Sequence, residues 1–387
     1  MSLVFKELGV LVDFKGGGTP SRNVEEYWAN SIPWATVKDL NEGITLTETQ
    51  EFISELGLKN SASNLITKGT IIIPTRMALG KVVISEIDVA INQDLKAVFV
   101  KDKETLDVKY LLRFLESNKE NIVSMGKGAT VKGITLDQLK AMKIPLPPIA
   151  EQRRIASILD KVEELCQKRQ QAIEKLDQLL QATFIDMFGD PICNAKGLKI
   201  SKLNNLVSIK GGGTPSRNVE EYWNGDIPWV TVKDFKENLF ISNAIESITM
   251  NGVNNSSTNI IPKGTLIMPT RMGLGKIALT SENVAINQDI KALFIKDNGK
   301  ILQHFLLYFL LFIKKYIISL GKGATVKGIT LDELNSLNII TPSLDLQEKW
   351  SKIALSIEDL KQKLYKQLSI QNQLFISLQN QFFNSDN

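Results

Sequence analysis

The stretch KGGGTPSRNVEEYW, Lys15 to Trp28, returns letter for letter at Lys210 to Trp223, 195 residues further on. At the same offset TVKD (Thr36 to Asp39) returns at Thr231, PTRM (Pro74 to Met77) at Pro269, and AINQD (Ala90 to Asp94) at Ala285. All twelve letters of GKGATVKGITLD, Gly126 to Asp137, return at Gly321 to Asp332. A constant offset over this distance leaves no net insertion or deletion, so each half is one copy of a single folding unit. The period is far too long for a solenoid repeat; it marks a duplicated domain.

Composition bounds the rest. A chain of 387 residues with 43% hydrophobic and 23% charged residues is an ordinary globular protein with room for two cores. The two cysteines, Cys166 and Cys193, lack metal-ligand spacing and cannot build a secreted disulfide framework, which makes a reducing cytoplasm the default expectation. The N-terminus MSLVFKELGVLVDF carries no signal-peptide pattern. The apolar run Phe305 to Ile318 is interrupted by Lys314 and Lys315, and its first-copy counterpart is amphipathic, so no membrane span is expected. A net charge of +4 is compatible with nucleic acid without arguing for it.

Within each copy, short β-rich runs such as GTIIIP, KVVIS and LKAVFV alternate with helical pieces, which predicts a compact mixed α/β (α+β) domain over residues 1–147 and again over 190–342. IPLPPIA then breaks the chain, and residues 148–189 and 343–387 each read as one long helix. In the first, Ile155, Ile158, Val162, Leu165, Ala172, Leu176 and Leu179 recur at three and four spacings; in the second, Trp350, Ile353, Ile357, Leu360, Leu364, Leu374 and Leu378 do so. That rhythm is a coiled-coil seam, and the economical partner for each helix is the other. Antiparallel pairing would relate the domains by a pseudo-two-fold axis and hold them at opposite ends of a rod. A helix of about 36 residues is about 54 Å long, the rise of about 16 base pairs of B-DNA.

The duplicated loops carry cations and short donors beside glycine. GGGTPSR offers Gly17, Thr19, Ser21 and Arg22; TVKD offers Lys38; PTRMALGK offers Thr75, Arg76 and Lys81; GKGATVKG offers Lys127, Thr130 and Lys132. Their second-copy partners are Gly212, Thr214, Ser216, Arg217, Lys233, Thr270, Arg271, Lys276, Lys322, Thr325 and Lys327. Several such loops in one domain fit a nucleic-acid-facing edge better than unrelated turns. Trp34 and Trp229 read as core residues. Divergence between the copies is uneven: 21 of 26 positions match from Lys15 to Leu40, but 8 of 26 from Asn41 to Ile66.

Catalysis finds little raw material. The single histidine, His304, lies in an apolar run, so histidine-dependent triads and multi-histidine metal sites are excluded. No Gly-Lys pair is followed by the Ser or Thr of a phosphate-binding loop, and no G-x-G-x-x-G opens a helix. Asp94 with Lys96, and Asp289 with Lys291, have a nuclease-like spacing without an upstream acidic partner and read as structural ion pairs.

The order GGGTPSR, YW, IPWATVKD, GTIIIPTRMALGK, AINQDLKA, GKGATVKGITLDQLKAMKIPLPPIAEQRRI and a long helix, used twice, resembles the specificity subunit of Type I restriction-modification systems. The second junction, TPSLDLQEKWSKIAL, departs in wording but keeps Gln347 in register with Gln152. The resemblance implies a non-catalytic reader of double-stranded DNA: two target-recognition domains, spaced by paired helices, each reading half of a bipartite site. It also implies that two modification subunits dock on the helices and carry S-adenosylmethionine, and that restriction subunits add ATP- and Mg-dependent cleavage in complexes that cut; no cofactor is expected in this chain. Near-identical domains should read near-identical inverted half-sites, since operator palindromy mirrors protein symmetry. Rival readings are an orphan DNA-binding or architectural protein, a helix-based interaction scaffold, and a phosphoryl-transfer enzyme built on the glycine loops.

Overall fold

The computed structural model describes residues 4–28, 31–40, 43–128, 132–236, 239–323 and 327–383. It divides into two compact units: Met1–Gln171 with Tyr365–Asn387, and Ala172–Leu364. Each unit contains one sequence copy and a portion of each long helix.

The first unit is built on a five-stranded sheet in the order Val12–Gly16, Leu95–Val100, Ile71–Pro74, Val83–Ser85, Thr45–Leu46, and a four-stranded sheet in the order Glu51–Ile53, Ile32–Ala35, Val89–Ile91, Asn64–Ile66. A two-stranded ribbon pairs Phe5–Glu7 with Lys143–Pro145. Both larger sheets mix parallel and antiparallel neighbours. The second unit repeats this strand order in its own three sheets, which is the mixed α/β architecture that the sequence predicts.

The IIIP run shows why the sheet forms where it does. All four residues of Ile71–Pro74 are buried. Successive strand side chains point to opposite faces, and here Ile71 and Ile73 enter one core cluster while Ile72 enters another. A strand covered on both faces reads as an unbroken apolar run. Leu266, Met268 and Ile267 divide between two clusters in the same way in the second unit.

Two helices bent by 64°, Gln303–Phe312 and Lys314–Leu320, account for the apolar run of the second copy. Phe305 to Leu310 are all buried in that unit's main core. Among the described residues no single helix is long and apolar enough to cross a membrane. His304 is half-buried beside them, and burial pushes its imidazole pKa down.

The long helices span Ile149–Phe188 and Leu344–Phe383, 40 residues each. In the first unit Ile155, Ala156 and Leu159 of one helix share a core cluster with Phe383 of the other. In the second, Leu180, Phe184 and Phe188 share one with Trp350, Ala354 and Ile357. The start of one helix therefore meets the end of the other within each unit, which is antiparallel pairing. A direct ion pair, Lys361 to Asp177 at 2.7 Å, adds to it in the second unit.

The buried stripe departs from the expected seam at four positions. Ile155, Trp350 and Ile357 are buried, and Ile158, Val162, Leu176, Ile353, Leu364 and Leu378 are half-buried. Leu165, Leu179, Leu360 and Leu374 are 44%, 52%, 50% and 48% exposed. The stripe runs one residue later at these points, through Cys166, Leu180, Lys361 and Phe375, and it also takes in Leu159, Ile173, Ala354 and Leu368. Hydropathy cannot choose, because apolar residues often occupy both adjacent positions and the true stripe passes through a lysine, a cysteine and an alanine. Burial of the Cys166 thiol pushes its pKa up, as a packed thiol requires.

The two copies attach their helices with different chemistry. In the first unit the guanidinium of Arg113, 2% exposed, pairs with Glu116, Asp160 and Glu163 at 2.6–2.8 Å. The Phe375 ring lies 5.9 Å from it. At the corresponding position of the second copy stands Tyr308, in an aromatic cluster with Phe184, Phe312 and Trp350. Removing one partner of a buried ion cluster strands the others, whereas trimming a buried aromatic ring leaves a cavity.

One polar contact is shared. Gln152 is fully buried; its Oε1 accepts from the Asp107 amide at 2.9 Å, and its Nε2 donates to the carbonyls of Thr105 and Pro147, both at 2.9 Å. Gln347 does the same with the Leu302 amide and the carbonyls of Lys300 and Pro342. Each glutamine ties the first turn of a long helix to the loop before a domain helix and to the proline hinge. Leaving a buried group unpaired costs about 1–3 kcal/mol. Gln152→Ala is therefore expected to lower stability by about 2–4 kcal/mol, measured by urea denaturation, with Gln347→Ala comparable; a loss below about 0.5 kcal/mol would refute the clamp.

Candidate nucleic-acid interface

The loops meet at the turn that links Val89–Ile91 to Leu95–Val100. There Gln93 accepts from the Thr19 hydroxyl, the Asp94 carbonyl accepts from the Thr75 amide at 2.7 Å, and the Ile91 carbonyl accepts from the Gly18 amide at 3.0 Å. The loop at Thr75 continues the network, since its carbonyl accepts from the Ile134 amide and Arg76 bridges to Gly133. Lys127 and Gly133 bond each other through both amides at 2.9 Å, closing the GKGATVKG loop. Three separated loops are thus tied together around the NQD turn. Thr214, Gln288, Asp289, Thr270, Gly328 and Lys322 make the same bonds in the second unit.

The first glycines serve packing rather than a positive φ. A Cβ on Gly17 would lie 1.9 Å from the Ile91 carbonyl oxygen, and one on Gly212 would lie 2.0 Å from that of Ile286. Backbone oxygens cannot give way at that distance, so the chain crosses itself here only as glycine. The close approach that the glycine run permits is therefore to the protein's own strand.

Arg22 is held in place. Its guanidinium makes a two-pronged bond to Glu51 at 2.6 and 2.9 Å and lies 3.7 Å over the Trp28 ring. Trp28 stands edge-on to the buried Trp34, whose indole donates to the Gly18 carbonyl at 3.1 Å. The hydrogen bond from Arg22 holds the Glu51 carboxyl below its ordinary pKa, and nearby Lys38 adds to this. Arg217, Glu246, Trp223, Trp229 and Lys233 repeat the arrangement.

The remaining candidates divide by exposure. Thr75 and Thr270 are buried, with their hydroxyls bonded to the Asp94 and Asp289 carbonyls. Lys81 and Lys276 donate to the Leu40 and Phe235 carbonyls, bracing one loop against another. Ser21, Ser216, Lys38, Lys233, Arg76, Arg271, Lys127, Lys322, Lys132 and Lys327 are exposed. Thr130 and Thr325 lie outside the described residues. Among those described, no group of three His, Cys, Asp or Glu side chains is placed to hold a metal ion.

Four contributors escape a reading of the sequence. Gln93 and Gln288 organise the loop network, and Glu51 and Glu246 orient the arginines; their retention inside or beside diverging windows is the available signal. The spacing of Lys96 from Asp94 suggests an ion pair, but the Lys96 ammonium donates to the Gln93 and Leu95 carbonyls at 2.7 and 3.2 Å. Burial lowers its pKa. Lys291 is placed and shifted in the same way.

The chain's relatives agree on one family. The Type I restriction modification DNA specificity domain matches residues 3–175 and again 195–371. The Type I restriction enzyme MjaIX specificity subunit of Methanocaldococcus jannaschii is 25% identical over 373 residues, covering 90% of this chain and 85% of that one. The EcoR124I/EcoR124II specificity subunit of Escherichia coli is 36% identical over 188 residues, 46% of each chain. Among solved structures, the S subunit of a Type I restriction-modification system from M. genitalium superposes with a TM-score of 0.64 at 17% identity, covering 99% of this chain and 96% of that one. A chain from a study of complex assembly and conformational transition in the type I R-M system gives 0.59 at 17%, with both chains fully covered. With two matches to its defining domain that together span most of its length, the chain belongs to the Type I restriction-modification DNA specificity family.

Proposed function

We propose that this protein reads a bipartite DNA target whose two halves are identical or differ by about one base pair and run in inverted orientation. It is a non-catalytic specificity subunit: it supplies the address, while modification subunits supply the chemistry. The finer reading assigns each domain one half-site and each long helix a share in spacing the halves. Two modification subunits would dock on the helices and carry S-adenosylmethionine for adenine methylation, with ATP and Mg held by restriction subunits in a complex that cuts. Such a complex would work on DNA in the cytoplasm.

The observation that carries this reading is the repetition of one loop network, bond for bond, in both units. Loops that present the same groups in the same geometry should recognise the same bases. The framed arginines, Arg22 and Arg217, are suited to fixed, directional contact, because Glu51 and Glu246 hold each guanidinium in one plane. The exposed lysines are suited to phosphate, where position matters less than charge.

The lysine loops differ in one respect. Lys322 bonds Glu333 at 2.6 Å, and this holds the Glu333 carboxyl down at about 2. The first copy has Gln138 at that position, and Gln138 donates instead to the Met125 carbonyl. Lys127 is therefore the freer phosphate ligand. We expect Lys127→Ala to weaken binding to any duplex more than Lys322→Ala, and Glu333→Gln to strengthen it, in anisotropy titrations across a salt series. Combining Lys127→Ala with Lys132→Ala should lower the slope of log K against log salt by about one unit for each phosphate that is no longer neutralised.

A genome-wide N6-methyladenine map of the host, with and without this gene, tests the functional reading. Loss of one bipartite motif with matching inverted halves is expected; loss of a motif with two unrelated halves would overturn the half-site proposal.

A further inference from the structure

The loop Arg76 to Lys81 holds a residue that neither packing nor the loop network explains. Four non-glycine residues among those described have positive φ: Asn194, Asn224, Met77 at 68° and Met272 at 51°. Asparagine tolerates this region because its short polar side chain bonds locally. Methionine has no such compensation. In the first copy the Ala78 amide donates to the Arg76 carbonyl at 2.9 Å, so Met77 is the centre of a γ-turn, a strained conformation for a residue with a Cβ. Glycine would adopt it at no steric cost, and glycine does occur next door, where Ala78 is replaced by Gly273 in the second copy.

The strain serves no anchoring purpose. Met77 is 71% exposed and Met272 is 68% exposed, among the most exposed large apolar side chains in the chain. The loop already has an apolar anchor, since Leu79 packs on the unit's core and against Gly126. The loop that carries the exposed methionine is cationic, with Arg76 before it and Lys81 after it. Arg76 is its neighbour in the chain and lies near enough to Lys96 to help lower its pKa, while Arg76 also bridges to the loop that bears Lys127 and Lys132. An apolar chain thrust out of a basic edge has a use where that edge meets DNA: phosphates satisfy the cations, and the bases between offer apolar surface. Unbranched methionine is among the side chains able to press on or between bases.

We propose that Met77 and Met272 are base-contacting residues, each pressing its thioether chain on the apolar surface of one base, a thymine methyl or a ring face, in the half-site read by its own domain. This rests on the reading that the cationic loops face DNA. It adds a specificity determinant that makes no hydrogen bond and so leaves no polar signature in the sequence.

The test uses the complex with its modification subunits, a duplex carrying the target recovered from the methylation map, and a scrambled duplex. Met77→Ala with Met272→Ala should weaken target binding about tenfold, leave scrambled-duplex binding unchanged, and leave the salt slope unchanged. Met77→Leu with Met272→Leu should restore most of the loss. Met77→Gly with Met272→Gly should hold or raise the melting temperature while losing discrimination, because it removes the strain and the apolar side chain together. Uracil in place of each thymine identifies a methyl contact by one sensitive position per half-site; a 2-aminopurine signal that disappears in the alanine variant identifies a ring-face contact instead. Target binding by the glycine variant equal to that of the unaltered complex would overturn the proposal, as would a duplex insensitive to both probes. If Lys127→Ala with Lys132→Ala also leaves the salt slope unchanged, the DNA-facing edge itself is misassigned; a lowered slope with silent methionine variants sinks only the methionine contact.

Discussion

Each domain is coupled to its helix through one buried glutamine. Gln152 and Gln347 each accept from one backbone amide and donate to two backbone carbonyls. They do so where the chain leaves Pro147–Pro148 or Pro342 and enters a 40-residue helix. Hydrophobic burial is non-directional, whereas three directed hydrogen bonds fix one register. Any function that needs the domain held at a set angle to the helix depends on this contact. The surrounding packing is free to differ, and it does: an arginine with three carboxylates in one unit, a cluster of aromatic rings in the other.

The same economy organises the loops. The NQD turn receives bonds from the glycine-rich loop and from the PTRM loop, and the latter carries the lysine loop with it. This explains much of the uneven divergence between copies. In the drifting window from Asn41 to Ile66, the retained positions include Glu51, which orients Arg22, and Ile53 and Ile66, which are fully buried. Gly57 is retained where a Cβ would strike the Tyr27 carbonyl, and Asn64 where its amide donates to the Gly16 carbonyl at 2.8 Å. Most of what drifts among the described positions is exposed or half-buried, and the buried exchanges, Leu46 for Ile241 and Ser63 for Thr258, are conservative. A half-site difference, if one exists, should be written there.

The duplication, the mixed sheets and the long helices are legible because each leaves a pattern in the chain: a constant offset, short β-rich apolar runs, and three-four spacing after prolines. The helix stripe is legible to within one residue. Hydropathy misplaces it at Leu165 and Leu360 because Cys166 and Lys361 carry the contact beside a more apolar neighbour, and at Leu179 and Leu374 because Leu180 and Phe375 are just as apolar. The candidate loops are visible as cations beside glycine, but their internal bonds are not. Thr75 and Lys81 look like phosphate donors in one dimension and are bonded to backbone carbonyls in three. The strained, exposed Met77 has no signature at all, since a backbone angle leaves no trace in composition.

The most direct test of the central claim is hydroxyl-radical footprinting of the complex on its target duplex, read on both strands. Two protected segments of equal length, with cleavage patterns that interchange between strands about a central dyad, are what duplicated loop networks predict. A single protected segment, or two whose patterns do not interchange, would contradict the account.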